Sequence, residues 1–103
     1  MTARAQNISL SMEDILRFCR RWRVTELSLF GSVIRDDFRP DSDVDVLLSF
    51  ERDAPWSLFD LVQMREELRG IFGRDVDLVE KEAIRNPFRR AEILRNREII
   101  YAA

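Results

Sequence analysis

The sequence predicts an α/β domain: a short mixed sheet flanked by helices, built from one run of 103 residues. Three observations carry that reading. Apolar strand-like segments at 24–30, 43–50 and 74–80 alternate with segments whose apolar residues recur at helical spacing. Hydrophobic residues make up 46% of the chain, enough to fill one core. No internal repeat or linker interrupts it, so one domain over 1–103 is expected, with 1–10 as a loose lead-in.

Taken in order, Ser11 can cap a helix running to about Arg23, with Glu13 and Asp14 in its first turn. Ile15, Phe18, Cys19 and Trp22 form its apolar stripe. Val24 to Phe30 reads as a strand, which Gly31 breaks, and Ser32 starts a short helix-like turn to about Asp37. Arg39-Pro40-Asp41-Ser42 is a turn, because Pro fixes φ while Asp and Ser offer local hydrogen bonds. Asp43 to Phe50 is the clearest strand. A helix follows from near Pro55 to about Phe72, with Leu58, Leu61, Val62, Leu68 and Phe72 expected to face inward, and Gly73 ends it. Arg74 to Glu80 is a third strand, Asn86-Pro87 opens a last helix to about Asn96, and Glu98 to Tyr101 is extended.

Composition removes several kinds of chemistry. There is no histidine and one cysteine, Cys19, which excludes Ser-His and Cys-His nucleophiles, the usual zinc sites and an intrachain disulfide. Lys plus Arg number 17 against 19 Asp plus Glu, a net charge of −2, which disfavours a non-specific nucleic-acid binder. No apolar run is long enough to span a membrane and no signal-peptide pattern opens the chain, so a cytoplasmic setting is expected. The chemistry is left to carboxylates, arginines, hydroxyls and the backbone.

Asp43 and Asp45 flank Val44 in an apolar strand, so alternation puts both carboxylates on one face, their backbones roughly 6.5–7 Å apart. Two acids there raise the free energy unless a cation lies between them. Leaning together, they can hold divalent metals in the manner of two-metal phosphoryl transfer. Asp77, between Val76 and Leu78, completes a three-carboxylate cluster if its strand pairs in register beside 43–50; Asp75, next to Arg74, is the weaker candidate. Gly31-Ser32 stands at a strand-to-helix junction, where free backbone N–H groups form an anion site and glycine lets a phosphate approach. Ten residues separate Ser32 from Asp43, enough for a turn and a loop back, so both features can face one cleft.

The run Leu29 to Leu47, with Gly31-Ser32 and Asp43-Val44-Asp45, resembles the signature of the polymerase-beta-like nucleotidyltransferases. It is most similar to the minimal nucleotidyltransferase family, and the resemblance extends to Asn86-Pro87-Phe88-Arg89-Arg90 and Ile99-Ile100-Tyr101. It implies Asp43, Asp45 and Asp77 as Mg²⁺ ligands and catalytic carboxylates, and Gly31 and Ser32 as triphosphate contacts. Arg35 matches the family's arginine after Gly-Ser, while Asp37, Arg39, Pro40 and Ser42 match its turn, with Arg35 and Ser42 counted among the nucleotide-binding residues. Ile34 and Asp36 flank Arg35 where relatives often carry a small residue and then glycine. The resemblance further implies an antitoxin that transfers AMP from ATP to a protein hydroxyl, a tyrosine of a HEPN-domain ribonuclease toxin. Three rivals stand beside this: an antitoxin acting by occlusion alone, nucleotidyl transfer to a small molecule, and a nucleic-acid-binding module resting on Arg85, Arg89, Arg90, Arg95 and Arg97. Those arginines are expected as a solvated helix face or else a partner surface. Trp22 and Trp56 are expected in the core or facing a partner, Tyr101 as an aromatic covering the core, and Cys19 as a buried hydrophobe.

Overall fold

In a computed structural model, residues 2–4 and 8–103 are described, 2–4 and Ser9 by their backbone. The order is β1 (Thr2–Arg4), β2 (Ser9–Ser11), α1 (Met12–Arg21), β3 (Val24–Phe30), a 3₁₀ turn (Gly31–Ile34), β4 (Val44–Phe50), α2 (Leu58–Phe72), β5 (Val76–Glu80), a second 3₁₀ turn (Lys81–Ala83), α3 (Pro87–Asn96) and β6 (Glu98–Ala102). Strands β5-β4-β3-β6 form a mixed four-stranded sheet, in which β4 and β5 are parallel and the other pairs antiparallel. The mixed sheet with flanking helices is the architecture expected.

The N-terminal segment corrects the expectation of a loose lead-in. Thr2–Arg4 pairs antiparallel with Ser9–Ser11, and Ile8 and Leu10 are buried in the main core. Leu10 within β2 and Ile8 just before it both reach the core, and that burial holds the segment. Met1 and residues 5–7 of the lead-in lie outside the described residues.

The helix ends follow local hydrogen-bond chemistry. Ser11 caps α1 by accepting the Asp14 N–H at 3.4 Å. Ser57 caps α2, with Ser57 Oγ accepting the Asp60 N–H and the Asp60 carboxylate accepting the Ser57 N–H at 2.8 Å, so the helix starts at this capping box rather than at Pro55. Gly73 at φ +69° ends it. Asn86 accepts the Phe88 and Arg89 N–H groups at 2.9 and 3.1 Å, with Pro87 in the first turn of α3.

The two sheet faces have different work. On one, Leu27, Leu29, Val44, Val46, Leu48 and Val76 pack against Ile15, Phe18 and Cys19 of α1 and Met64, Leu68 and Phe72 of α2. A bulge between Val24 and Glu26 turns Val24 to this apolar side and leaves Glu26 on the other. On the second face, α3 seats Ile93 against Phe30 and Leu47. Beside that contact Glu26 is buried, accepting from Ser28 Oγ (2.6 Å), Lys81 Nζ (3.1 Å) and Arg97 Nε (2.7 Å). Arg97 is therefore an internal tether, and Arg90 donates to the Lys81 carbonyl at 2.6 Å, so the C-terminal arginines do not form one solvated face.

Helix α2 also departs from its expected phase. Leu61, Met64, Leu68 and Phe72 define the buried stripe, whereas Leu58 (76% exposed) and Val62 face outward with Phe59. At about 100° per residue, Val62 cannot share a narrow stripe with its neighbour Leu61. Trp22 is buried and Trp56 meets it edge to face at 5.1 Å, donating Nε1–H to the Trp22 carbonyl at 2.8 Å. Tyr101 packs against the same core, and Cys19 is fully buried, its thiol pushed up to about 12 by burial. Among the described residues no helix is long and apolar enough to cross a membrane.

Candidate active site

The carboxylates come together through backbone pairing. Strand β4 runs parallel to β5 with Val44 opposite Val76 and Asp45 opposite Asp77, so the apolar pair faces the core and the acidic pair emerges on the other side. Asp43 lies one residue before β4, where the Val44 N–H donates to the Asp75 carbonyl at 2.9 Å and closes the mouth of the two strands. Asp43 and Asp77 are exposed, and Asp45 is half-buried. Asp75, the weaker candidate, points away and forms a 2.9 Å ion pair with Arg69.

Gly31 reaches the same spot from the other side. It follows Phe30, the cross-strand partner of Asp45, and has φ +74°. A Cβ built on Gly31 would stand 3.1 Å from Asp45 Cγ and inside contact distance of Oδ2. The glycine is thus required twice, for its left-handed backbone and for the space the Asp45 carboxylate fills. No side chain caps the turn that starts at Gly31, and Ser32 stands half-buried in it with its carbonyl accepting the Arg35 N–H at 2.9 Å.

Burial and neighbouring charge both act on Asp45. Burial raises the Asp45 pKa above the ordinary carboxylate value, and the charges of Asp77 and Asp43 raise it further, while Arg35 and Arg89 pull it down. Like charges resist being drawn together. Among the described residues no three acidic or cysteine side chains are gathered closely enough to hold a metal ion; Asp45 and Asp77 are opposite in register, and Asp43 lies one residue before the strand.

Two other expected residues are held by the connecting loop. Arg35 pairs with Asp37 through Nε and Nη2 at 3.0 and 3.3 Å while its side chain lines a pocket beside Gly31. Ser42 closes the turn, its Oγ accepting the Arg39 N–H at 3.0 Å and its own N–H donating to the Arg39 carbonyl at 2.9 Å. Its hydroxyl therefore serves the loop backbone, and Ser42 is not among the residues of that pocket. Arg74 fastens the same loop by donating to the Arg39 and Pro40 carbonyls and lying over the Phe38 ring at 4.6 Å.

The pocket has a volume of about 540 Å³, with Phe30, Ile34 and Ile93 as apolar wall and Gly31, Arg35, Arg89, Glu92 and Asn96 as polar lining. The α3 residues were missed as a group by sequence reasoning. Their signal was present: Arg89, Glu92, Ile93 and Asn96 recur at helical spacing, one apolar residue among three polar ones, which marks a helix face at the edge of a core.

Comparison with known proteins identifies the class. The family model for the nucleotidyltransferase domain matches residues 12–100, and the chain belongs to that family and is a nucleotidyltransferase. It is similar to the protein adenylyltransferase MntA of Thermococcus cleftensis, 36% identical over 81 residues, which are 79% of this chain and 77% of that one. A solved structure of a protein provisionally described as a minimal nucleotidyltransferase superposes with a TM-score of 0.69 at 34% identity, covering 84% of this chain and 85% of that one. A toxin–antitoxin crystal structure with AMP-PNP reaches a TM-score of 0.72 over 91% of this chain and 75% of that one; at 17% identity the likeness is one of fold.

Proposed function

We propose that this nucleotidyltransferase moves AMP from ATP to a hydroxyl of a protein, a tyrosine of a HEPN-domain toxin, and so acts as an antitoxin. The observation that carries the reading is the meeting of Asp45 with Asp77 in register and with Gly31 at contact distance, which joins an acidic strand pair to a phosphate corner. The name of the Thermococcus relative supports protein as acceptor and adenylyl as the group. The fold shared with a toxin–antitoxin structure supports the partner.

The donor set suits Mg²⁺: three carboxylates are hard oxygen ligands, and the absent Gly31 Cβ leaves room for the Asp45 head group. Asp43 and Asp45, with Asp77, would hold the ion, which when bound neutralises triphosphate charge and polarises the α-phosphate. The backbone at Gly31 and Ser32 and the Arg35 guanidinium orient the β- and γ-phosphates. The acceptor oxygen attacks the α-phosphorus, the bond to the pyrophosphate oxygen breaks, and Asp77 positions the acceptor hydroxyl or takes its proton. Ser42 contributes by holding the loop that carries Arg35 back to Asp43.

Labelled ATP tests this. With Mg²⁺ and the candidate toxin, label on the α-phosphate is expected on the toxin and label on the γ-phosphate in pyrophosphate. Toxin carrying γ-label would mean phosphoryl rather than nucleotidyl transfer and would overturn the reading.

A second reading has its own observation. Phe59 and Phe88, 88% and 85% exposed, leave large apolar side chains in water on α2 and α3. Such residues support tight binding of a partner, so neutralisation by occlusion alone is the alternative.

A further inference from the structure

The pocket beside Gly31 contains two arginines in different electrostatic situations. Arg35 is matched: Asp37 binds it through two nitrogens, and Asp45 and Glu92 add their fields. Arg89 is not. Among the described residues its guanidinium makes no hydrogen bond and no ion pair, and its helix presents it to the same cavity as Gly31 and Arg35. An unpaired guanidinium on a concave wall, lining one pocket with the Gly31 backbone and Arg35, is arranged to meet an anion.

We propose that Arg89 is a second guanidinium contact for the polyphosphate of the donor nucleotide, approaching from α3 while Arg35 approaches from the turn after β3. This rests on the nucleotidyl-transfer reading and adds to it a residue from α3 that lines the same pocket. The position of Arg89 is fixed from within the sheet. Ile93, one turn on, is buried against Phe30 and Leu47, and Arg97, a further turn on, is tied to buried Glu26. Arg97 and Glu26 are thus positioning residues, holding the helix that carries the contact. The anchored helix fixes the backbone from which the guanidinium reaches the pocket.

Equilibrium binding of Mg-ATP, of Mg-tripolyphosphate and of adenosine to wild type, Arg89→Ala and Arg89→Lys tests the assignment without any acceptor. Loss of one charge-assisted contact should weaken ATP and tripolyphosphate about tenfold in the alanine variant and leave adenosine unchanged. Arg89→Lys should recover part of the loss, since it restores charge without the planar fork. Melting temperature should not move, because the guanidinium is exposed and unpaired. Unchanged tripolyphosphate affinity in Arg89→Ala would overturn the proposal, and so would a loss confined to ATP and adenosine, which would assign Arg89 to the nucleoside instead. Wild-type protein that binds none of the three would overturn the donor reading itself, and the proposal with it.

Discussion

Replacing Gly31 by alanine perturbs the site at its tightest point, and Gly73 supplies an internal control. Both glycines have left-handed backbone, φ +74° and +69°. Alanine at either position costs about 1–2 kcal/mol of backbone strain. At Gly73 a Cβ would meet nothing within 4 Å, so strain is the whole effect. At Gly31 the new methyl overlaps the Asp45 carboxylate, with Cγ at 3.1 Å. That side chain can rotate, so the overlap adds little to the loss of stability. It moves the carboxylate by about 1 Å, a displacement that costs on the order of 100-fold when it falls on a reacting constellation. Urea denaturation should therefore show similar losses for Gly31→Ala and Gly73→Ala. Single-turnover AMP transfer should fall about 100-fold in the first and stay near wild type in the second. Equal transfer by the two variants would refute the idea that Gly31 is kept for the Asp45 head group.

Further outcomes follow from the same structure. Burial pushes the Glu26 carboxyl up, but hydrogen bonds from Ser28, Lys81 and Arg97 outweigh it and leave its pKa below the ordinary 4.5. A depressed carboxylate stabilises the fold above the unfolded value and loses that contribution as pH falls through the folded one. Glu26→Gln should thus be less stable than wild type by about 2 kcal/mol at neutral pH, with the gap closing as denaturation is measured below about pH 4.5. Trp56→Phe removes the hydrogen bond to the Trp22 carbonyl and should cost about 1 kcal/mol while leaving transfer intact. Cys19, buried with its thiol pushed up to about 12, should resist iodoacetamide at pH 8 in folded protein and react once urea unfolds it; rapid labelling of the native chain would place it outside the core.

What the sequence made legible was local, and what it hid was long-range. Strand β3 spans the apolar residues from Val24 to Phe30 and ends where Gly31 breaks it, because apolar residues and a glycine break are read within a few positions. The caps Ser11 and Asn86 were readable for the same reason. The pairing of Asp45 with Asp77 was not, since parallel strands joined through α2 leave the register to packing between residues more than thirty positions apart. Glu26 reads as an ordinary strand acid until Arg97, 71 residues away, is seen to reach it. The inward face of α2 was misjudged because Leu58, Phe59 and Val62 are as apolar as the residues that are buried, so composition alone does not choose the phase. Likewise, the pairing of Thr2–Arg4 with Ser9–Ser11 depends on Ile8 and Leu10 finding a core that other elements build. The pocket wall on α3 was masked by an arginine-rich stretch whose members go to different places: Arg97 inward, Arg90 to a backbone carbonyl and Arg89 to the cleft.

The central claim is that Asp43 and Asp45 serve nucleotidyl transfer and that transfer is how a toxin is neutralised. Its most direct test compares wild type with the Asp43→Asn/Asp45→Asn variant, measuring both α-label transferred to the toxin and residual toxin activity. The variant keeps the size and shape of both side chains, so partner binding should persist. The account predicts that label and neutralisation vanish together. Full neutralisation by the variant in the absence of label would contradict it and leave occlusion as the mechanism.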